Sequence, residues 1–286
     1  MARDHPAGAP VTAPTVTQVR ANERVDFSVR VHGSGPGLLY LHGFGGLACG
    51  DFLDLLGRSH TVYAPEMPGV GGSTGLDEVR STWELALAYH DLLQLLDLPE
   101  VAVVGHSVGG MIAAELAALW PSSVNRLALV SPMGLFVESS PGDDPFALLP
   151  TEWCQFFADQ DSTVARRFAD PDGSIDERVT LLVDRATAAE AAAKFLFPIP
   201  DRGLSRRLYR VTAPTLLAAG GLDTFVPAGV VEAFRSGIPH AQVSTVPEAG
   251  HMLPLEEPVQ LSKILDAFLG SVVPARHPAA EGGARA

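Results

Sequence analysis

The chain has 286 residues, 47% of them hydrophobic, enough to bury the core of one large α/β domain carrying an insertion. Its formal net charge of −13 argues against nucleic acid and anionic membrane as partners, because both would repel it. Two cysteines, Cys49 and Cys154, are too few for a disulfide framework and lack zinc-ligand spacing, so reduced thiols in a cytoplasmic protein without a metal are expected.

Residues 1–14 are rich in Pro, Ala and Gly and are expected to form a loose tail. They hold no apolar run of signal-peptide length, and no stretch of the chain reaches the roughly 18 apolar residues that would span a bilayer. Val25, Phe27, Val29 and Val31 alternate with polar residues, which predicts a strand with one wet face, entered by a turn at Asn22-Glu23. Gly33-Ser-Gly-Pro-Gly37 precedes a strand instead of following one, so it reads as a turn and not as a dinucleotide fingerprint.

Leu38–Leu41 is a short apolar strand that runs into His42-Gly43-Phe44-Gly45-Gly46. A Gly-rich backbone can point N–H groups at the oxyanion of an acyl-transfer reaction, and the amides of Phe44 and Val108 are the predicted donors. His42 is expected to hold this loop by hydrogen bonds. A helix at Asp51–Leu56, a strand at Thr61–Ala64 and a Gly/Pro-rich loop at Pro65–Ser73 follow. Asp77–Asp97 reads as one helix whose Leu85, Leu92, Leu95 and Leu96 cover a sheet face, with His60 and His90 on the surface.

Val101-Ala-Val-Val-Gly105-His106-Ser107-Val108-Gly109-Gly110 is followed by the helix formers Met111–Leu119. Strand, Gly-x-Ser-x-Gly and helix is the order a nucleophile elbow requires, so Ser107 is the predicted nucleophile. Arg126–Val130 is the next buried strand, and the alternation of strands with helices implies a parallel sheet covered on both faces.

From Met133 to Arg210 the alternation lapses. Glu152–Phe168 and Ile175–Phe197 read as helices of an inserted cap, and Trp153, Phe156, Phe157, Phe195 and Phe197 are its candidate pocket or core aromatics. Arg166, Arg167, Arg206 and Arg207 are expected on solvated helix faces. The sheet resumes with Pro214–Ala219, a helix at Ala228–Ser236, a strand at Gln242–Val246 and a last helix ending near Leu269. Asp223 lies just beyond one of these strands and His251 on a loop beyond the other, where His251 can serve as base to Ser107 while Asp223 fixes its tautomer.

His42-Gly-Phe-Gly-Gly46, Pro65–Ser73, Gly105-His-Ser-Val-Gly109, Gly221-Leu-Asp223 and Gly250-His251 together resemble the successive signatures of the α/β-hydrolase superfamily, within the group carrying a helical cap after the sixth strand. The resemblance covers residues 15–270. It implies a catalytic triad of Ser107, Asp223 and His251, an oxyanion hole at Phe44 and Val108, and no cofactor. The implied division is a core of 15–132 and 211–270, a cap of 133–210 and a second tail of 271–286.

Pocket residues are expected from His42, Gly43, His106, Met133, Trp153, Phe157, Phe225 and Met252. The expected partner is a small hydrophobic ester-like substrate, and a homodimer is left open. Glu66 stands where such chains often carry Asp, in a structural loop. Epoxide hydrolases and haloalkane dehalogenases of this fold use an Asp nucleophile. Carbon-carbon bond hydrolases usually show Asn before the Ser and Trp after the His, where this chain has His106 and Met252. The resemblance therefore implies hydrolysis of a carboxylic ester or lactone, with carbon-carbon cleavage or a non-hydrolytic ligand-binding or biosynthetic role as alternatives.

Overall fold

The computed structural model describes residues 13–270, so both predicted tails, apart from residues 13 and 14, fall outside the described residues. Eight strands form one sheet: β1 (Thr15–Arg20), β2 (Asp26–His32), β3 (Gly37–Leu41), β4 (Thr61–Pro65), β5 (Val101–His106), β6 (Val124–Val130), β7 (Thr215–Gly220) and β8 (Gln242–Val246). Their order is β1-β2-β4-β3-β5-β6-β7-β8. β1 and β2, and β2 and β4, pair antiparallel, and all other neighbours are parallel.

The period-2 alternation of side chains divides the core. Leu39, Leu41, Val103, Leu127 and Leu129 face one way, under α2 (Thr82–Leu95) and α3 (Val108–Leu119). Leu38, Tyr40, Val104, Ala128 and Val130 face the other, under α1 (Gly50–Leu56) and α8 (Pro258–Leu269). The central parallel strands are therefore apolar on both faces, as their unbroken hydrophobic runs predict. This is the mostly parallel sheet with helices on both faces expected from the sequence.

Between β6 and β7 the chain from Met133 to Arg210 contains no strand. It holds 3₁₀ helices at Pro145–Ala147, Pro150–Phe156, Leu204–Arg206 and Leu208–Arg210, together with α4 (Thr163–Ala169) and α5 (Ile175–Leu196). A capping box starts α5: the Glu177 amide donates to Ser174 Oγ, and the Ser174 amide donates to Glu177 Oε2. After β7 come α6 (Ala228–Gly237) and, directly behind His251, the single turn α7 (Leu253–Glu256). Among the described residues no helix is long and apolar enough to cross a membrane.

Three expectations need correction. Asp77–Asp97 is not one helix: a 3₁₀ turn at Leu76–Glu78 is separated from α2 by extended Val79, and Ser81 caps α2 by accepting from the Glu84 amide. In α2 Leu85 and Leu92 are buried, but Leu95 is 57% exposed. Glu152–Phe168 likewise splits, because Phe157 is extended and Ser162 caps a new helix through the Ala165 amide. Arg207 is not a solvated residue: its guanidinium holds the carboxylate of Glu115, which is 1% exposed on α3, and lies over the Trp83 ring. Arg166, Arg167 and Arg206 are exposed.

Candidate active site

β5 and α3 meet at Ser107, whose backbone stands at φ 57° and ψ −121°. A serine held there costs about 1 to 3 kcal/mol and persists only because its surroundings impose it. The Ser107 amide donates to Val130 O, and its carbonyl accepts from the amides of Gly110 and Met133. The two glycines of the motif are required by close approach. A Cβ at Gly105 would lie 2.3 Å from Gly109 O, and one at Gly109 would lie 2.1 Å from Leu41 O. The strand and helix can therefore pack across the turn and leave the serine at its apex.

His251 and Asp223 come from the loops at the carboxyl ends of β8 and β7. Ser107 Oγ is 2.9 Å from His251 Nε2, and His251 Nδ1 is 3.0 Å from Asp223 Oδ2. An ionised carboxylate only accepts, so Nδ1 carries the proton and Nε2 is free to accept from the serine hydroxyl. The other Asp223 oxygen accepts from the Phe225 and Val226 amides, each at 2.9 Å. Burial works to raise the Asp223 carboxyl, but the charge and hydrogen bond of His251, the Val226 amide and Ser131 outweigh it and hold the group below its ordinary value. The carboxylate is thus kept ionised beside the ring it orients.

The loop after β3 lies directly over the elbow. A Cβ at Gly43 would come within 2.7 Å of both Ser107 Cβ and His106 Nδ1, so only glycine fits without displacement. His42 donates from Nδ1 to Gly43 O and accepts at Nε2 from the Met67 amide, which ties this loop to the one after β4. Burial lowers its pKa and keeps it neutral for that pairing. In the second loop Glu66 holds Arg30 and the Gly72 amide. Val108 is the first residue of α3, where a helix has no internal partner for its N–H, and Phe44 follows Gly43 in the covering loop. Both predicted oxyanion donors therefore belong to segments that border Ser107.

Ser107 is 1% exposed, and a cluster of aromatic side chains packs around its partner His251. The Phe156 ring lies 4.8 Å from Phe44, 4.6 Å from Phe225 and 5.9 Å from His251, between centroids. Beside this cluster is a cavity of about 210 Å³, mostly apolar, between the segment that follows β6, Phe197 and the loop after β7. Met133 and Phe225 line it. Met133 is bonded to Ser107 through its amide, and the Phe225 ring is 5.7 Å from that of His251.

The remaining predicted pocket residues are placed elsewhere. His106 and Met252 border a void of about 10 Å³ beside the loop that carries His251. Trp153 packs edge-on to Phe44 and Phe157 against Phe168, both in the core, and His42 and Gly43 build the loop. Among the described residues no group of three or more His, Cys, Asp or Glu side chains could hold a metal ion.

Sequence reasoning missed two participants. Nothing in the sequence separates Phe156 from the other candidate aromatics, yet its carbonyl accepts from the His251 amide at 2.9 Å. The sequence offers His106 only as a pocket residue, yet its Nε2 donates to the His251 carbonyl at 2.9 Å. Both are contacts across more than 90 residues of sequence, which local pattern does not encode.

A family model described as "Alpha/beta hydrolase family" matches residues 38–264. The chain is 32% identical over 259 residues to a pimeloyl-(acyl-carrier protein) methyl ester esterase of Xanthomonas oryzae pv. oryzae, covering 85% of this chain and 99% of that protein. Among solved structures, a 2-hydroxy-6-oxo-6-phenylhexa-2,4-dienoate hydrolase from Rhodococcus sp. strain RHA1 superposes with a TM-score of 0.74 at 17% identity, covering 91% of this chain and 100% of that one. A membrane phospholipase A, described as a bacterial virulence factor, gives 0.74 at 22% identity, covering 90% and 86%. At these identities the structural matches speak for the fold alone.

Proposed function

Because the chain belongs to the Alpha/beta hydrolase family, we propose that it is a serine hydrolase that cleaves a carboxylic ester or lactone through an acyl-enzyme. The observation that carries this reading is the continuous hydrogen-bonded path from Asp223 through His251 to Ser107, with the serine at the apex of a strained turn.

In the proposed reaction Ser107 Oγ attacks the substrate carbonyl carbon while His251 Nε2 takes the hydroxyl proton. Asp223 stabilises the imidazolium without accepting its proton. The amides of Phe44 and Val108 bind the oxyanion of the tetrahedral intermediate, where a buried donor is worth about 2.7 to 4 kcal/mol of barrier. His251 then protonates the leaving alcohol, and the carbonyl re-forms as an acyl-enzyme. A water molecule, deprotonated by His251, attacks the acyl carbon and releases the acid, returning the proton to Ser107. The helical insert from Met133 to Arg210 acts as a cap, and the cavity beside Phe225 and Met133 takes an apolar group of the substrate.

Ester cleavage is favoured over carbon-carbon cleavage by two observations. The relative at 32% identity is an esterase, whereas the carbon-carbon hydrolase from Rhodococcus shares 17% identity and supports the fold. The experiment that tests the reading is hydrolysis of a series of p-nitrophenyl esters under pre-steady-state conditions. A burst of p-nitrophenol equal to the enzyme concentration supports an acyl-enzyme on this chain, and no turnover of any ester by folded protein would defeat it.

A further inference from the structure

The catalytic loop is fastened to the helical insert by one carboxylate. Glu256 Oε2 accepts from the Ala158 amide of the insert at 2.8 Å. The same side chain accepts from the Gly250 amide at 3.0 Å and from the Met252 amide at 3.1 Å, the residues on either side of His251. The insert answers in kind, since Phe156 O accepts from the amides of His251 at 2.9 Å and Met252 at 3.3 Å. The two backbones are so close that a Cβ at Gly250 would lie 2.7 Å from Ala158 N and 2.9 Å from Phe156 O. Together these contacts bridge positions 156–158 and 250–252, which approach from sequence distances of more than 90 residues.

We propose that Glu256 is a positioning residue that locks the Phe156–Ala158 segment of the insert to the His251 loop, so that seating of the Phe156 ring over the site and alignment of His251 toward Ser107 are one event. A backbone amide needs an acceptor when it leaves water, and three of them converge on this single carboxylate. Two belong to the neighbours of His251 and one to the second residue after Phe156. Without Glu256 the Gly250 and Ala158 amides lose this acceptor, the two segments are joined through Phe156 O, and the serine-to-histidine distance is less tightly imposed. Burial raises the Glu256 carboxyl while its amide donors and His251 lower it, with burial prevailing. The side chain is therefore held in place by the amides it satisfies, at a cost in charge burial that a surface glutamate would not bear.

This inference rests on His251 being the base to Ser107, and the test separates the two claims. In the full chain, Glu256→Ala and Glu256→Gln are compared with wild type by amide hydrogen exchange. A small fluorophosphonate is used in parallel to measure the rate at which Ser107 is phosphonylated, normalised to folded protein. In Glu256→Ala, segments 156–158 and 250–252 are expected to lose protection together while β5 keeps its own, and phosphonylation is expected to slow by about tenfold or more. Glu256→Gln keeps one acceptor oxygen and is expected to fall between, which also serves if the alanine variant fails to fold.

Unchanged exchange at 156–158, or an unchanged phosphonylation rate per folded molecule, overturns the proposal. A purely structural tie would lower stability and leave that rate alone. If wild type itself is not phosphonylated, the serine hydrolase reading fails. The exchange data then decide the lock: joint loss of protection supports it and independent behaviour of the two segments overturns it.

Discussion

His106 Nε2 lies 2.9 Å from the carbonyl oxygen of His251, so the residue before the proposed nucleophile holds the backbone of the proposed base. The carbonyl can only accept, so His106 carries a proton on Nε2, and it is burial that keeps the ring from taking a second proton on Nδ1. Burial, reinforced by the nearby charge of His251, pushes its pKa from 6.5 down to about 3. The folded-state value is below the unfolded one, so the stability this group contributes is present above pH 6.5 and is lost as pH falls toward 3. The predicted slope is up to about 1.4 kcal/mol per pH unit in that window. Urea unfolding between pH 7 and pH 4 should show His106→Gln less acid-sensitive than wild type. His42, also lowered by burial, leaves a residual slope in both proteins. Equal slopes would contradict the assignment.

Asp223 fixes the tautomer of His251, and Asp223→Asn presents an amide that can offer N–H where the carboxylate offered only oxygen. The imidazole then turns its unprotonated nitrogen toward residue 223 and its N–H toward Ser107. A loss on the order of 10⁴-fold in kcat is expected, with a melting temperature near that of wild type. The measurement is ester turnover by protein verified as folded by circular dichroism. A loss of less than about tenfold would mean that His251 is oriented by other contacts.

Val230, on α6, lines the cavity beside Phe225. Val230→Phe places a ring in that space and should shorten the acyl chains accepted. The ratio of kcat/KM for p-nitrophenyl octanoate to that for the acetate is expected to fall about tenfold or more. An unchanged ratio would mean that the apolar group of the substrate lies elsewhere.

Glu115 is 1% exposed on the helix that follows the elbow, and Arg207 pairs with it through its guanidinium. Arg207→Ala leaves that carboxylate buried and unpaired, with an expected loss of about 3 kcal/mol in unfolding free energy. Replacing both partners, as Glu115→Gln with Arg207→Met, should recover more than half of that loss, because no buried charge remains. Chemical denaturation of the single and double variants measures the coupling.

Those elements legible in the sequence are the ones whose chemistry is local. Val101–Leu119 carries its strand, turn glycines and helix in one continuous run, and Ser107 follows from that run alone. The order of Asp223 and His251 was legible because each follows a strand signal. β1 was not, since Thr15–Arg20 is mostly exposed and gives no hydrophobic alternation to read. The breaks at Ser81 and Ser162 are single side-chain caps inside otherwise helical patterns, and a serine there is equally at home on a helix surface. The role of Arg207 depends on Glu115, and those of Phe156 and Glu256 on the His251 loop. Such pairings are fixed by tertiary approach and leave no periodic trace.

Activation of Ser107 as a nucleophile by His251 is measured most directly by intact-mass analysis after treatment with a fluorophosphonate. Wild type is expected to carry one phosphonyl adduct per chain, located on Ser107, with no adduct in a folded Ser107→Ala variant and loss of ester turnover in parallel with labelling. Labelling at another residue, or turnover that survives Ser107→Ala, would contradict it.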